Sequence, residues 1–183
     1  MRMYSPAEVA RRYVETGRSK AALPVGRMLL LGMLAGAFIA LAGGSATFAV
    51  SYGGRLAGAA VFPAGLAMVL LAGSELFTGN CLLVIPLLER QLTWGRMLRS
   101  WGVVYLANVL GAGLVAALTV AAGTFDGVYE SVVATAAAKA GLPFLTALLR
   151  GVLCNFLVCI AVWMSLAAQS VPGKLAAMYL PIF

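Results

Sequence analysis

Residues 56–88 read LAGAAVFPAGLAMVLLAGSELFTGNCLLVIPLL, 33 residues with a single charge, Glu75. As one straight helix this stretch would be about 50 Å long at 1.5 Å per residue, well over a hydrocarbon core of about 30 Å. Two full crossings would need roughly 40 residues plus a turn, so it is also too short to cross and return. It must cross once with residues to spare. The surplus falls at Gly73, Ser74, Glu75, Leu76, Phe77, Thr78, Gly79 and Asn80, which place two glycines, a carboxylate and three hydrogen-bonding side chains at mid-membrane depth. Non-helical backbone is tolerated at that depth only where protein buries it or where it lines a wet cavity. A discontinuous helix is therefore expected, roughly residues 58–73 and then 80–88, with the interruption on a conduction or binding path.

The rest of the chain has the composition of a membrane protein. Of 183 residues, 62% are hydrophobic and only 10% charged, too little polar surface for a soluble domain of this length. The charges bunch between uncharged runs. Residues 28–54 form a first span with Gly32 and Gly36 at a spacing that admits a close neighbour. Residues 100–125 form a third, with Asn108, Gly111, Ala112 and Gly113 as a small and polar packing face. Residues 144–168 form a fourth, apolar apart from Arg150 and Asn155. A fifth opens at residue 175 and reaches only about 14 Å before Phe183, so either the chain is cut short or a separate polypeptide completes the fold. Residues 1–27 are expected to be a cytoplasmic amphipathic helix beginning at Ser5 with Pro6 in its first turn, and residues 28–183 the transmembrane domain.

Charge bias sets the orientation. Residues 1–27 carry six basic and two acidic groups, residues 89–99 three basic and one acidic, and residues 126–139 a net charge of −1. The positive-inside rule places the first two in the cytoplasm and the third outside, with the N-terminus cytoplasmic and the protein multi-pass in the cell inner membrane. The same reading explains the net charge of +7 without a nucleic-acid partner, because the cations sit at the ends of apolar spans. Histidine is absent and the three cysteines, Cys81, Cys154 and Cys159, lie in apolar stretches, so no zinc or haem set can be assembled and no cofactor is expected. No nucleophile–base set is present either, which disfavours an enzyme.

The motifs are those of a known family. SELFTGN at residues 74–80, LTWGRMLRSW at 92–101 and GVLCNFLVCIAVWMS at 151–165 together resemble the formate/nitrite transporter family, in order, from about Tyr13 to Phe183. The resemblance implies an all-α, aquaporin-like bundle with inverted-repeat topology, a broken second transmembrane helix, a homopentamer and one pore per protomer, the second half being incomplete in this chain. It implies a channel or transporter for small monovalent anions such as formate, nitrite or hydrosulfide. Leu66 and Leu76 match the cytoplasmic constriction and Phe62 the outer one. Thr78, Gly79 and Asn80 fall in the pore loop and, with Asn155, which matches a polar residue near the pore centre, are expected to bind the anion; Lys139 matches a basic site that attracts anions, a role Arg150 is expected to share at the outer mouth. The family's central histidine belongs to a later segment than this chain contains. Within the chain, Gly32-Met33-Leu34-Ala35-Gly36 opens the first span as Gly151-Val152-Leu153-Cys154-Asn155 opens the fourth, the pattern of an inverted repeat.

Physical chemistry constrains the same residues. An anion entering hydrocarbon needs polar substitutes for its water, which the interruption and the Thr78 hydroxyl offer. Glu75 would repel that anion from the pore axis, so it is expected off the axis, accepting hydrogen bonds from loop N–H groups. The alternative function is a pore-less membrane anchor or assembly subunit. The identity of the anion is not legible, since these species differ little in size and charge.

Overall fold

The computed structural model describes residues 3–183; Met1 and Arg2, counted in the N-terminal charge, lie outside them. The first helix, α1 (Pro6–Ala21), begins in a capping box: Ser5 Oγ accepts from Glu8 N, and Glu8 Oε2 accepts from Ser5 N at 2.8 Å. Its buried stripe, Val9, Tyr13, Gly17 and Ala21, repeats every four residues on one face. That face packs under a later segment, with Gly17 against Pro86 and Leu83.

The next element, α2 (Val25–Val61), is not straight. Gly54 adopts φ 76 and ψ −177, a conformation that only glycine takes without strain, and the chain doubles back there. A Cβ on Gly58 would strike Val50 and the Ala46 carbonyl, and one on Gly65 would lie 2.7 Å from the Ala42 Cβ, so the returning strand of helix runs antiparallel to the first. It continues as α3 (Pro63–Ala72) and ends at Gly73, whose left-handed φ of 66 closes the helix by an N–H bond to Val69 O.

Residues 74–76 are not helical. Helix resumes as α4 (Phe77–Asn80), passes through a 3-10 turn (Cys81–Leu83) and ends as α5 (Val84–Leu88). It resumes at Phe77 rather than at residue 80, because the Phe77 N–H is met at 2.9 Å by Asn108 Oδ1 and its ring is held edge-on by Trp101 and Tyr105.

Beyond it, α6 (Trp94–Ala121) starts at its Thr93 cap and ends before residue 125. A 3-10 turn (Asp126–Val128) and α7 (Tyr129–Ala140), which has no buried residue, occupy the stretch read as an outer loop. Two more helices follow, α8 (Phe144–Ala167) and α9 (Val171–Ile182), the latter capped by Ser170.

Two contacts hold the bundle together. Helices α2 and α6 meet backbone to backbone, since a Cβ on Gly36 would overlap the Asn108 main chain and one on Gly111 would overlap that of Met33. Ala35, Leu66, Val69, Ala161, Val162 and Met178 form a core shared by α2, α3, α8 and α9. Val25–Ala72, Trp94–Ala121 and Phe144–Ala167 are each long and apolar enough to cross a bilayer. Their outer faces leave Leu106, Leu110 and Leu114 on α6 and Leu149, Leu153 and Phe156 on α8 exposed, which suits lipid or a neighbouring membrane helix rather than water. The protein is an all-α, multi-span membrane bundle.

The close approach at Gly111 generates a prediction. Gly111→Leu should destabilise the detergent-solubilised protein by about 3 kcal/mol, because backbone cannot retreat as a side chain can. Gly113→Leu, on the same helix but with open space around it, should lie within about 0.5 kcal/mol of the parent. Apparent melting temperatures in detergent read the difference.

Candidate functional site

The interruption at residues 73–76 is stitched to three other elements. From α1, Lys20 Nζ reaches Glu75 Oε1 at 2.8 Å and Asn80 Oδ1 at 3.3 Å. Asn80 Nδ2 donates to Glu75 Oε2 at 2.8 Å, so both carboxylate oxygens are engaged by side chains from either side of the interruption. From α6, Asn108 Nδ2 donates to Glu75 O (2.9 Å) and to Gly32 O (2.8 Å). From α2, Leu31 O accepts the Glu75 N–H at 3.1 Å. Trp101 Nε1 donates to Asn80 O at 2.8 Å, and Tyr13 OH to Gly79 O at 3.5 Å.

Glu75 thus takes its bonds from an ammonium and a side-chain amide, not from the loop N–H groups expected of it. Those N–H groups are used elsewhere, by Leu31 O and Asn108 Oδ1. The charge is matched at its source: among the described residues the Lys20–Glu75 pair is the one salt bridge, with the carboxylate buried and the ammonium part-buried. Burial, reinforced by the Glu75 charge, pushes the Tyr13 phenol above its ordinary range and keeps it a neutral donor.

A cavity of about 200 Å³ adjoins this arrangement. Leu66 on α3 and Leu76 in the interruption, ten residues apart, both line it, together with Gly79, Asn80, Lys20 and Glu75. Leu66 is buried in the shared core, and Leu76 packs against that core. Asn80 is fully buried with its side-chain oxygen and amide both engaged, which makes it part of the frame. Thr78 is not among the cavity's lining residues. Its carbonyl accepts from the Cys159 thiol at 3.3 Å, while its buried Oγ1 has no hydrogen-bond partner.

The other expected site residues lie apart from this cavity. Phe62 is half-exposed at the α2–α3 junction. Asn155 lies on α8, where its Oδ1 faces the Cys159 Sγ at 3.8 Å. Lys139, in the last turn of α7, and Arg150, on α8, are exposed. A larger cavity of about 830 Å³ opens between α2, α6 and α7, but no charged side chain lines it.

Sequence reasoning missed Lys20, Arg99 and Trp101. Arg99 donates to Ala21 O (2.9 Å) and Leu23 O (3.1 Å), fixing the C-terminal end of α1 and so the reach of Lys20. A signal for Lys20 existed: a carboxylate in an apolar span requires a cation, and Lys20 closes a helix that must pack against the membrane domain. Nothing in a single sequence measures the separation of residues 20 and 75.

Comparison with known proteins matches this arrangement to one family. The family described as Formate/nitrite transporter matches residues 7–183. The chain is 38% identical over 193 residues to the uncharacterized transporter YrhG of Bacillus subtilis (strain 168), covering 100% of this chain and 73% of that protein. It is 34% identical to a probable formate transporter of Methanothermobacter thermautotrophicus, covering 98% and 75%, and 32% identical to the formate channel FocA of Escherichia coli (strain K12), covering 97% and 66%. A solved FNT family ion channel superposes with a TM-score of 0.82 at 25% identity, over 96% of this chain and 74% of that one. With the family match spanning nearly its whole length, the chain belongs to the formate/nitrite transporter family.

Proposed function

We propose that the protein carries small monovalent anions such as formate, nitrite or hydrosulfide across the cell inner membrane, with one pore per protomer of a homopentamer and its N-terminus in the cytoplasm. As a member of its family it is a transporter, not an enzyme. The observation that carries the reading is the joint lining of one cavity by Leu66 and Leu76 beside an interrupted helix. A narrow ring of leucines holds too little water to solvate an ion, so it acts as a barrier by dewetting that a small widening relieves. The two leucines then form the inner constriction, residues 56–88 are one broken transmembrane span, and α8 opens the inverted second half.

Three features support this assignment. Glu75 is neutralised by Lys20, so the wall of the passage does not present a bare negative charge to an anion. The buried Thr78 hydroxyl, two residues after Leu76, has its hydrogen-bonding capacity free within the chain. Two relatives, the probable formate transporter and the formate channel FocA, are named for formate. Phe62 serves as the outer constriction, Gly79 and Asn155 line the path between, and the exposed Lys139 and Arg150 gather anions at the outer mouth.

Flux into liposomes tests the assignment. Leu66→Ala with Leu76→Ala should raise formate or nitrite flux several-fold, on the order of the tenfold change that 1.4 kcal/mol confers, with oligomeric assembly intact. Thr78→Val should lower flux, because it keeps the shape and removes the hydroxyl. A well-assembled double alanine variant with parental flux for every small anion would remove these leucines from the gate.

A further inference from the structure

A second, polar cavity of about 400 Å³ lies on the α1 side of the bundle. Tyr13, Thr16 and Leu166 line both it and the Leu66–Leu76 cavity, so the two spaces share a wall. Its charged lining residues are two cations, Arg12 from α1 and Lys174 from the first turn of α9, and no carboxylate lines it. Of the two acids on α1, Glu8 is folded back onto Ser5 N and Oγ in the capping box, and Glu15 lines other cavities.

Both cations are unmatched. Among the described residues, neither the Arg12 guanidinium nor the Lys174 ammonium makes a hydrogen bond or an ion pair, in contrast to Lys20, which has both. The guanidinium is nonetheless positioned. It lies 3.9 Å over the Tyr4 ring, and Tyr4 is in turn fixed by its N–H bond of 2.9 Å to Ala167 O. Stacking uses the face of a guanidinium and leaves its N–H edge available to a planar oxyanion. Gln169 adds an uncharged donor to the same wall.

We infer that Arg12 and Lys174 form a reception site that binds a small carboxylate or similar monovalent oxyanion at the wide end of the Leu66–Leu76 passage. The inference rests on the anion-passage reading above, and adds to it two residues outside the interruption. A cavity with one sign of charge and low-dielectric walls focuses its field and raises local anion concentration about 10-fold or more, an effect that salt screens over about 8 Å at physiological strength. Tyr13, Thr16 and Leu166, common to both linings, are then the side chains a captured anion must pass to reach the constriction.

Two measurements separate the site from the transport reading. Line broadening of 13C-formate by the detergent-solubilised protein reports binding without transport. It should fall several-fold in Arg12→Gln with Lys174→Gln, weaken with added chloride, and be largely retained in Arg12→Lys. In planar bilayers, the double glutamine variant should raise the half-saturating formate concentration on the α1 side roughly three- to tenfold and leave the opposite side unchanged. Broadening equal to the parent's in the double variant would overturn the site even with normal flux, as would an equal shift of half-saturation on both sides. A parent that broadens formate through Arg12 and Lys174 yet carries none across the bilayer would overturn the transport reading and uphold the site.

Discussion

A carboxylate buried in an apolar bundle costs several kcal/mol unless it is paired and hydrogen-bonded, and Glu75 is the residue around which this protein meets that requirement. Its two oxygens take Lys20 from α1 and Asn80 from beyond the interruption, and its main-chain N–H and carbonyl are tied to Leu31 on α2 and Asn108 on α6. Four parts of the chain therefore converge on one residue. Removing any one of them leaves a polar group orphaned where lipid cannot replace it.

The same convergence accounts for the non-helical backbone. Gly73 closes α3, Ser74 N returns to Val69 O, Phe77 N is met by Asn108, and the Gly79 and Asn80 carbonyls accept from Tyr13 and Trp101. With these backbone groups bonded to protein, the side chains of the interruption can be apolar where a barrier is wanted. Leu76 reaches the cavity of Leu66 for that reason. The position of α1 is part of the device, since Lys20 supplies the compensating charge from outside the apolar spans and Arg99 fixes the helix that carries it.

Much of this was legible in the chain. The mismatch between 33 apolar residues and one crossing pointed to an interruption near Glu75, and the structure has non-helical chain at residues 74–76. The small residues Gly32, Gly36 and Gly111 are where α2 and α6 touch. Other features were not legible. Helix resumes at Phe77 because of an acceptor on Asn108, 31 positions later, which local propensity does not contain. Asn80 was read as a ligand for anions, whereas its side chain is committed to Glu75 and Lys20. Local pattern reports what a segment must bury, while the partner it buries against is a property of the folded whole.

The Lys20–Glu75 pair holds the interruption in place, and a double-mutant cycle on unfolding in detergent measures that coupling. Lys20→Met alone leaves a buried carboxylate without its cation and should destabilise by about 3 kcal/mol, the low end for such pairs because Lys20 keeps part of its side chain exposed. Glu75→Gln alone should cost less, since the amide can still bond to Asn80. The combined variant should be more stable than Lys20→Met by itself. Additive losses, or a Lys20→Met variant as stable as the parent, would mean that the pair does not hold the interruption.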